Sequence, residues 1–292
     1  MTERERKIIK VKKKSQFMEI MKRLSRNKAA MAGLVIILLM SVIAILAPFF
    51  MPYPYEQTDF YGTFQPFTKE HLLGTDELGR DILSRLMYGG RYSLQIGILS
   101  VLGAMSVGIV VGSIAGYFGG LLDDVIMRIL DIINSIPGLV LSIAVAAILG
   151  AGFTNCIIAL AFGTMPGYAR MIRASILNVR KMEYLEAATS INCSSARIIF
   201  KHILPNTISP LIVMATMQVA GSILTAASLS FIGLGVQTPE PEWGAMLAGA
   251  RSYLRQYPRL VLVPGITIMV AVLALNMLGD GLRDAMDPRL KD

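Results

Sequence analysis

The chain has 292 residues, of which 54% are hydrophobic and 16% are charged, and it carries a formal net charge of +8. Soluble domains carry about 25% charged residues, and the apolar excess here lies in runs of about 20 residues, the length at which a helix crosses a bilayer. This composition argues against a soluble enzyme, and the lack of a compact basic domain with interleaved aromatic residues argues against nucleic acid as a partner.

The first 28 residues form a basic segment with 11 of the 28 Lys and Arg residues of the chain. Within it, Phe17, Ile20, Met21 and Leu24 recur at spacings of three or four, which predicts a short amphipathic helix on the inner membrane surface. We interpret this helix either as an anchor to membrane lipid or as a topology signal alone. The apolar run 29–50 is too long for the core of a signal peptide and precedes no small-residue cleavage pattern, so we expect a retained first span.

Six apolar runs predict an all-α polytopic membrane protein with six transmembrane helices. With the N-terminus inside, 21 of the 28 Lys and Arg residues fall on inner segments and 7 on outer ones, which supports both termini inside. We divide the chain into a basic tail (1–28), a first span with an outer segment (29–91) and a core (92–292) with a cytoplasmic loop at 178–207. The predicted spans are 29–50, 92–118, 132–151, 156–175, 208–232 and 260–280.

Two long segments are predicted to face outward. In the first, 51–91, Thr75 is a predicted N-cap of a helix stabilised by ion pairs one turn apart. In the second, 233–259, the acidic stretch "GVQTPEPEWG" predicts either a contact loop for an outer partner or a lid over the outer mouth. Its carboxylates are Glu240 and Glu242, the predicted ion pairs of the first segment are Asp76–Arg80 and Asp81–Arg85, and Trp243 and Tyr253 are predicted at the outer membrane interface.

Two features inside the spans carry predictions. Gly108, Gly112 and Gly116 place a stripe without side chains on one helix face, which favours close packing against another helix, either internal or in a second subunit. Polar residues within spans face a pathway or form hydrogen bonds between helices. These polar residues are Gln95, Asn134, Gln218, Ser222, Thr225 and Asn276, of which the last four are the pathway candidates.

The sequence lacks the motifs of several kinds of chemistry. It contains no Gly-Lys pair and therefore no phosphate-binding Walker loop. His71 and His202 fall on opposite predicted sides, as do Cys156 and Cys193, so we expect no metal site and no disulfide. We predict a chain that is not an enzyme and binds no cofactor itself. The spans also hold no deep acidic pair for a proton relay.

One polar stretch interrupts the apolar sequence, "EYLEAATSINCSSARIIFKHILPN" at 183–206. A helix from Glu183 to Ala188 is predicted to end at Asn192, since Asn tolerates the left-handed conformation needed past a helix end. Ser194 or Ser195 then caps a second helix that stops before Pro205. The second helix carries Ile198, Ile199 and Ile203, and the exposed face of the pair is predicted to hold an acidic edge with Ala187 and Ala188. About 30 structured residues between spans favour a docking element over a plain loop.

This stretch resembles the EAA loop of ABC-importer permeases. Glu186-Ala187-Ala188 and Leu204-Pro205 match the pattern, and Asn192 stands where the family usually has Gly. "HLLGTDELGRDILSRLMYGGRYSL", "SLSFIGLGVQTPEPEWGAML" and "LNMLGDGLRDAMDPRL" are similar to the second permease of the dipeptide/oligopeptide/nickel importer group. In that group an N-terminal extension span precedes a five-helix type I importer core.

The resemblance implies a set of partners and a location. It implies a sister permease, two cytoplasmic ATPase subunits that hold ATP and Mg²⁺, an extracellular substrate-binding protein, and a bacterial cell membrane. It also implies that the helix near Glu183 couples to an ATPase. The coupling residues carried over are Glu183, Tyr184, Glu186, Ala187, Ala188, Asn192, Leu204 and Pro205. Asp280, Arg283, Asp284 and Asp287 at the end of the last span either brace the bundle or meet the ATPase.

The cargo is open at this point. Peptides are the default cargo of the group, and nickel, metallophores or glutathione are alternatives. A stand-alone secondary transporter is the rival from another class, but it predicts inverted repeats with broken helices, and no convincing internal repeat is present. A membrane-embedded enzyme needs a reactive cluster that this sequence does not contain.

Overall fold

The computed structural model describes residues 16–180 and 182–286, and the side chains of 16–19, 186, 187, 189 and 206 lie outside that description. In the described part the chain is helical, apart from turns and one isolated bridge between Thr75 and Asp81. The all-α prediction is confirmed over these ranges. The helices are α1 (Gln16–Leu24), α2 (Lys28–Phe50), α3 (Ile82–Phe118), α4 (Gly120–Asn134), α5 (Gly138–Leu149), α6 (Phe153–Val179), α7 (Glu183–Ser190), α8 (Ser195–Arg197), α9 (Leu204–Phe231), α10 (Trp243–Ala250) and α11 (Arg259–Met286), with a π-helical turn (Ile198–Ile203) before α9 and a 3₁₀ turn (Arg251–Tyr253) after α10.

Four helices are long and apolar enough to cross a membrane, namely α2, α3, α9 and α11. Helices α4 and α5 together make a fifth candidate crossing, although they meet at an angle of 88°. Helix α6 has 27 residues, which is enough length for a sixth crossing, but it is less apolar than the first four. This set of helices defines a polytopic membrane protein.

The predicted third span, 132–151, is not one helix. Helix α4 ends at Asn134 and α5 begins at Gly138, with the bend between them. Pro137 explains the break, because it has no N–H to donate and disfavours the helical conformation of Ile136 before it. The prediction of a continuous helix was wrong because it followed hydropathy across this proline.

Three connections meet at one end of the bundle, which we call the outer end after the charge-based orientation. The Phe64 ring stacks on the Tyr257 ring with centroids 4.2 Å apart, which joins the segment after α2 to the segment before α11. The Gly152 N–H donates to the Gly235 carbonyl over 3.0 Å, which joins the α5–α6 turn to the segment after α9. The segments that were predicted to share a side therefore lie together.

The first and last described helices meet at the opposite, inner end. Leu24 of α1 is buried with Ala30 and Ala285, and Ile20 packs against the same cluster. The apolar face of α1 is thus used at least partly on α11 rather than on lipid alone. Both ends of the described chain share one side, as the prediction of two termini inside requires.

The glycine stripe of α3 packs against α6 of the same chain, which answers whether its partner helix is internal. All three glycines are buried. A Cβ at Gly112 would collide with the Ala169 carbonyl, and one at Gly116 would lie 3.1 Å from the Ile176 Cβ. A Cβ at Gly108 would lie 2.5 Å from the Tyr168 Cβ. The predicted close helix packing is therefore confirmed.

Candidate coupling site

Helix α7 lies between the inner ends of α6 and α9, with one face in the protein core. Leu185 and Ala188 are buried there, in a cluster that includes Tyr168 of α6 and Leu211 of α9. Ala188 is only 6% exposed, so its predicted position on the exposed face was wrong. Its small side chain lets α7 approach its own bundle. Spacing alone could not show which face of so short a helix is buried.

The other face of α7 is open. Glu183 and Tyr184 are exposed at the first turn. The side chains of Glu186 and Ala187, the other predicted coupling residues of this helix, lie outside the described residues. Further exposed apolar side chains flank α7, namely Ile191 at 76% and Phe200 at 66%. At the inner end of the bundle these side chains form a candidate contact surface together with Tyr184, since contiguous apolar patches mark protein interaction sites.

The turn after α7 has the conformation that the sequence predicts. Asn192 adopts φ 55°, in the left-handed region. The Cys193 N–H donates to the Ala188 carbonyl over 3.1 Å, a bond that closes a Schellman-type helix end. The Ser194 hydroxyl then accepts from the Arg197 N–H over 3.4 Å and caps α8. The prediction of a left-handed Asn192 followed by a serine cap is confirmed.

The second helix does not stop before Pro205, which corrects the prediction. Helix α8 continues through the π-helical turn into α9 without a break. The Leu204 N–H donates to the Ile199 carbonyl, five residues back, which is the π-helical pattern. Pro205 is tolerated because it lies in the first turn of α9. After the wider π-helical turn, the helix does not need the N–H group that proline lacks. Leu204 is half-buried and Pro205 is exposed, so both remain at the base of the coupling region.

An ion pair that the sequence reasoning did not single out joins α4 to the inner half of α6. The Arg173 guanidinium contacts both carboxylate oxygens of Asp123, with Nε–Oδ1 at 2.5 Å and Nη2–Oδ2 at 2.6 Å. Asp123 is buried, and two parallel bonds of this kind fix orientation as well as position. The acidic pair in the apolar "GLLDDVIM" was the available signal, because a carboxylate in such a context needs a partner.

At the outer end Glu242 is a structural residue, which excludes the predicted contact role for its side chain. It is 1% exposed and caps α10 by accepting from the Gly244 N–H at 2.9 Å and the Ala245 N–H at 2.7 Å. The hydroxyls of Ser93 and Ser230 also donate to it, at 3.0 and 2.9 Å. Three helices, α3, α9 and α10, therefore meet on one carboxylate.

Trp243 does not anchor at a lipid interface as predicted. It is 2% exposed, and its Nε1 donates to the Leu86 carbonyl at 2.9 Å. A Cβ at Gly90 would lie 3.1 Å from the indole ring, so the absence of a side chain there makes room for it. Burial of this kind depends on a residue about 150 positions away and leaves no local pattern in the sequence.

The helix predicted to start at Thr75 starts later, at Ile82, and Asp81 caps it. Residues before it form a turn in which the Asp76 carboxylate accepts from the N–H groups of Leu78 and Arg80, at 2.9 Å each. Such side-chain bonds compete with helix formation.

One of the two ion pairs predicted for this outer segment is present, and the other is not. Asp76 pairs with Arg80 at 2.7 Å, which confirms the first predicted pair. Arg85 also contacts Asp76, at 3.5 Å, whereas Asp81 pairs with His71 at 2.9 Å. The second predicted pair, Asp81–Arg85, was therefore wrong, because both residues have partners outside the helix.

The pathway candidates have different surroundings. Gln218 is half-buried and lines a groove of about 530 Å³ between α6, α9 and α11. Ser222 is 1% exposed and its hydroxyl has no partner in the described part of the chain. The Thr225 hydroxyl donates to the Gly221 carbonyl of its own helix at 2.9 Å, and Asn276 is half-buried. A hydrogen bond between helices is thus absent for Ser222 and Thr225 among the described residues.

The charged residues at the inner end of α11 lie on its exposed surface where the structure describes them. Asp280, Arg283 and Asp284 are exposed, and Asp287 lies outside the described residues. No ion pair joins the first three to residues within 16–180 or 182–286. Over the same ranges, no three His, Cys, Asp or Glu side chains lie close enough to hold a metal ion.

Several bilayer-length apolar helices, with a capped helix-turn element packed between α6 and α9, define a multi-pass membrane protein with a candidate docking element. Residues 108–292 match the family model described as binding-protein-dependent transport system inner membrane component, and residues 15–66 match that of the N-terminal TM domain of oligopeptide transport permease C. The chain belongs to the family of binding-protein-dependent inner membrane components. It is a multi-pass permease of an ABC importer, as the resemblance implied.

Named relatives cover nearly the whole chain. It is 45% identical over 277 residues to the dipeptide transport system permease protein DppC of Alkalihalophilus pseudofirmus, a match that covers 95% of this chain and 91% of the relative. It is 44% identical over 274 residues to the glutathione transport system permease protein GsiD of Pectobacterium atrosepticum, covering 94% and 91%. An inward facing structure of the MetNI methionine ABC transporter shares the fold, with 19% identity, a TM-score of 0.57, and coverage of 70% of this chain and 98% of that one.

Proposed function

We propose that this chain forms one half of the translocation pathway of an ABC importer for dipeptides and other short peptides. The observation that supports dipeptides as the cargo is the 45% identity, over 95% of the chain, to a dipeptide permease. A glutathione importer is the second candidate, favoured by the 44% identity to a glutathione permease. Glutathione is itself a tripeptide, so both candidates describe a pathway for short peptide-like molecules. Nickel or metallophore cargo and a stand-alone secondary transporter are the alternatives that the test below also addresses.

In this proposal the chain couples to ATP hydrolysis but does not catalyse it. Two cytoplasmic ATPase subunits bind ATP and Mg²⁺, and this chain needs no cofactor. The exposed first turn of α7 meets one ATPase, with the Glu183 carboxylate as the charged contact and Tyr184 as the aromatic contact. Glu186 and Ala187 extend this contact surface. Tyr residues at such surfaces contribute much of the binding energy.

Movement of α7 reaches the spans through buried contacts. Leu185 and Ala188 pack into one cluster with side chains of α6 and α9, so displacement of α7 moves both helices. A left-handed turn at Asn192, closed by the hydrogen bond from the Cys193 N–H to the Ala188 carbonyl, and a continuous π-helical turn connect α7 to α9. Rigid-body tilting of packed elements is an established kind of two-state transition.

The remaining partners complete the assembly. A sister permease supplies the other half of the pathway, and an extracellular binding protein delivers cargo to the outer end. The half-exposed Glu240 beside the buried Glu242 cap offers a carboxylate on a braced surface for that protein. Lipid surrounds the apolar faces of α2 and the other spans.

The test is reconstitution of the four-part transporter in proteoliposomes with its binding protein. We expect ATP-dependent uptake of a labelled dipeptide such as Leu-Leu, competed by unlabelled dipeptides and weakly by Ni²⁺ salts. Stronger competition by glutathione than by Leu-Leu would move the cargo to the second candidate. Uptake that needs a proton gradient and no ATPase subunit would overturn the proposal.

A further inference from the structure

A groove rich in methionine lies between the inner halves of α6, α9 and α11. It measures about 530 Å³, within the range of about 300–1,000 Å³ that small-molecule sites occupy. We call it the methionine groove. Its lining residues are Met171, Ser209, Pro210, Val213, Met214, Met217, Gln218, Arg283 and Met286.

Glycines on both neighbouring helices make room for the methionines. A Cβ at Gly279 of α11 would lie 2.7 Å from the Met217 Cγ. A Cβ at Gly167 of α6 would lie 3.1 Å from the Met214 Cε. The two thioether side chains of α9 therefore extend over glycine surfaces of two different neighbouring helices, α11 and α6. Methionine is flexible and polarisable, and surfaces rich in it adapt to ligands of different shape.

Two polar groups interrupt this apolar lining. Gln218 is half-buried and offers both an amide donor and an amide acceptor. Arg283 is exposed, and no ion pair joins it to a residue in the described part of the chain. An apolar groove with one amide and one cation matches a ligand that has variable apolar side chains, a peptide bond and a carboxylate.

The groove also lies next to the coupling region. Ser209 and Pro210 lie within two turns of the start of α9, and α9 continues from the π-helical turn. Any tilt of α9 that follows α7 therefore changes the shape of the groove. A site that holds cargo on its way inward has to release it during that tilt.

We propose that the methionine groove is an inner-side subsite for the cargo, a short peptide with a free C-terminal carboxylate. This inference rests on the proposed function. Arg283 binds the carboxylate, Gln218 binds the peptide amide, and Met214 and Met217 contact the apolar side chains. The exposed Arg283 cation is complementary to the C-terminal carboxylate, which favours this ligand, and coverage of the groove by a sister permease is an outcome of the test below.

A cysteine-protection experiment tests the site directly. Cys156 and Cys193 are replaced by Ala, Met217→Cys is introduced, and the assembled transporter in nanodiscs reacts with a maleimide. We expect prompt labelling that Leu-Leu slows. The peptide concentration that gives half-maximal protection should rise about 5-fold for amidated Leu-Leu or after Arg283→Gln, since an exposed ion pair contributes up to about 1 kcal/mol. Arg128→Gln is the control for loss of a positive charge on the same side.

Other outcomes of this experiment overturn the inference. Absence of labelling without peptide means that a sister permease or lipid covers the groove. Labelling that ignores both peptides means that cargo does not bind there. Wild-type proteoliposomes are assayed in parallel for ATP-driven Leu-Leu uptake. Uptake without protection rejects the groove alone, whereas absence of uptake rejects the proposed function.

A size test gives a second readout. Met217→Trp fills the groove, and Met269→Trp is the matched control, because Met269 is an exposed methionine on α11 outside the groove. We expect Met217→Trp to lower uptake of Phe-Phe about 10-fold more than uptake of Gly-Gly, the kind of discrimination that pocket size produces. Equal loss for both peptides in Met217→Trp, or selective loss in Met269→Trp, contradicts the subsite.

Discussion

Glu242 illustrates how a single carboxylate holds helices together inside an apolar bundle. Two hydroxyls and two backbone N–H groups donate to it, from α3, α9 and α10. A buried carboxylate without such donors would be strongly unfavourable. The capped end of α10 therefore depends on residues from distant parts of the chain.

Removal of this carboxylate should destabilise the protein. Glu242→Ala leaves two buried hydroxyls and two N–H groups without an acceptor, so we expect a loss of about 3 kcal/mol or more in unfolding free energy. Thermal unfolding in detergent measures it. Glu240→Ala, at the half-exposed neighbour, is the control and should change the midpoint little. An equal effect of both substitutions would contradict the structural role.

Asn192 gives a second test at a single residue. Its φ of 55° is open to Gly and strained for β-branched residues. We expect Asn192→Gly to keep ATP-driven uptake, and Asn192→Val to reduce it while membrane insertion continues. Asn192→Asp, which keeps a residue type that tolerates the left-handed region, is the control and should retain uptake. Normal coupling in Asn192→Val would show that the turn geometry is not required.

Sequence reasoning at the residue scale succeeded where the cause is local. The left-handed Asn192 and the Ser194 cap follow from backbone preferences of those residue types. Ala188, Glu242 and Trp243 were misassigned because their burial depends on partners far along the chain. No local pattern distinguishes a carboxylate with four donors from one in solvent.

At the scale of the element, the π-helical turn sets how α9 is oriented relative to α7. It contains one more residue per turn than an α-helix permits, and its exposed members are Phe200 and Lys201. The buried Ile198, Ile199 and Ile203 fix the turn in the core. The extra residue of the π-helical turn is thus part of the packed connection between α8 and α9.

Deletion of Phe200 tests this connection. We expect the turn to become α-helical, so that the narrower turn no longer holds Ile198, Ile199 and Ile203 together in their buried positions. The variant should insert in the membrane and lose coupled uptake. Deletion of Thr58, in an exposed connection, is the control. Retained uptake without Phe200 would show that the orientation set by the turn is not needed.

The close contact between α3 and α6 can also be tested, because α3 contains one glycine at a tight contact and another at an ordinary one. Gly112→Ala places a Cβ against the Ala169 carbonyl, whereas a Cβ at Gly103 would meet the Ala161 Cβ at an ordinary 3.6 Å. We expect Gly112→Ala to cost about 1–3 kcal/mol and Gly103→Ala to be tolerated. Detergent thermal unfolding of both variants measures the difference. Equal midpoints would contradict the close packing.

The positions of most long helices could be predicted from hydropathy alone, because burial in lipid requires continuous apolar sequence. The break at Pro137 and the continuation through Pro205 could not. The same residue type ends one helix and is accommodated in another, and the π-helical turn makes that difference. Such turns have no sequence signature that was available here.

At the scale of the whole molecule, the outer segment between α2 and α3 is fixed to the bundle by long-range contacts. Arg259 donates to the carbonyls of Phe64 and of Gln65, the latter at 2.8 Å. Arg85 donates to the carbonyls of Tyr55 and Pro239, at 3.1 and 3.4 Å. The alternation of inner and outer segments was predictable from charge, but these contacts were not.

Loss of one such contact should loosen the outer segment. Arg259→Gln removes the cation that holds two carbonyls, so we expect faster hydrogen exchange and proteolysis across 60–81. Arg255→Gln removes an exposed arginine nearby and is the control. Identical exchange in the two variants would show that the outer segment is held by its other contacts alone.

The Ser230 hydroxyl on Glu242 has a consequence that reaches across the whole bilayer. Ser230 lies one residue before the outer end of α9, and the inner end of α9 continues into the coupling turn. A helix of 28 residues is about 42 Å long, so one continuous helix joins the coupling turn to the carboxylate that caps α10. In the proposed transporter, nucleotide binding that changes affinity for a partner at the outer end must, by thermodynamic reciprocity, be changed by that partner by the same factor.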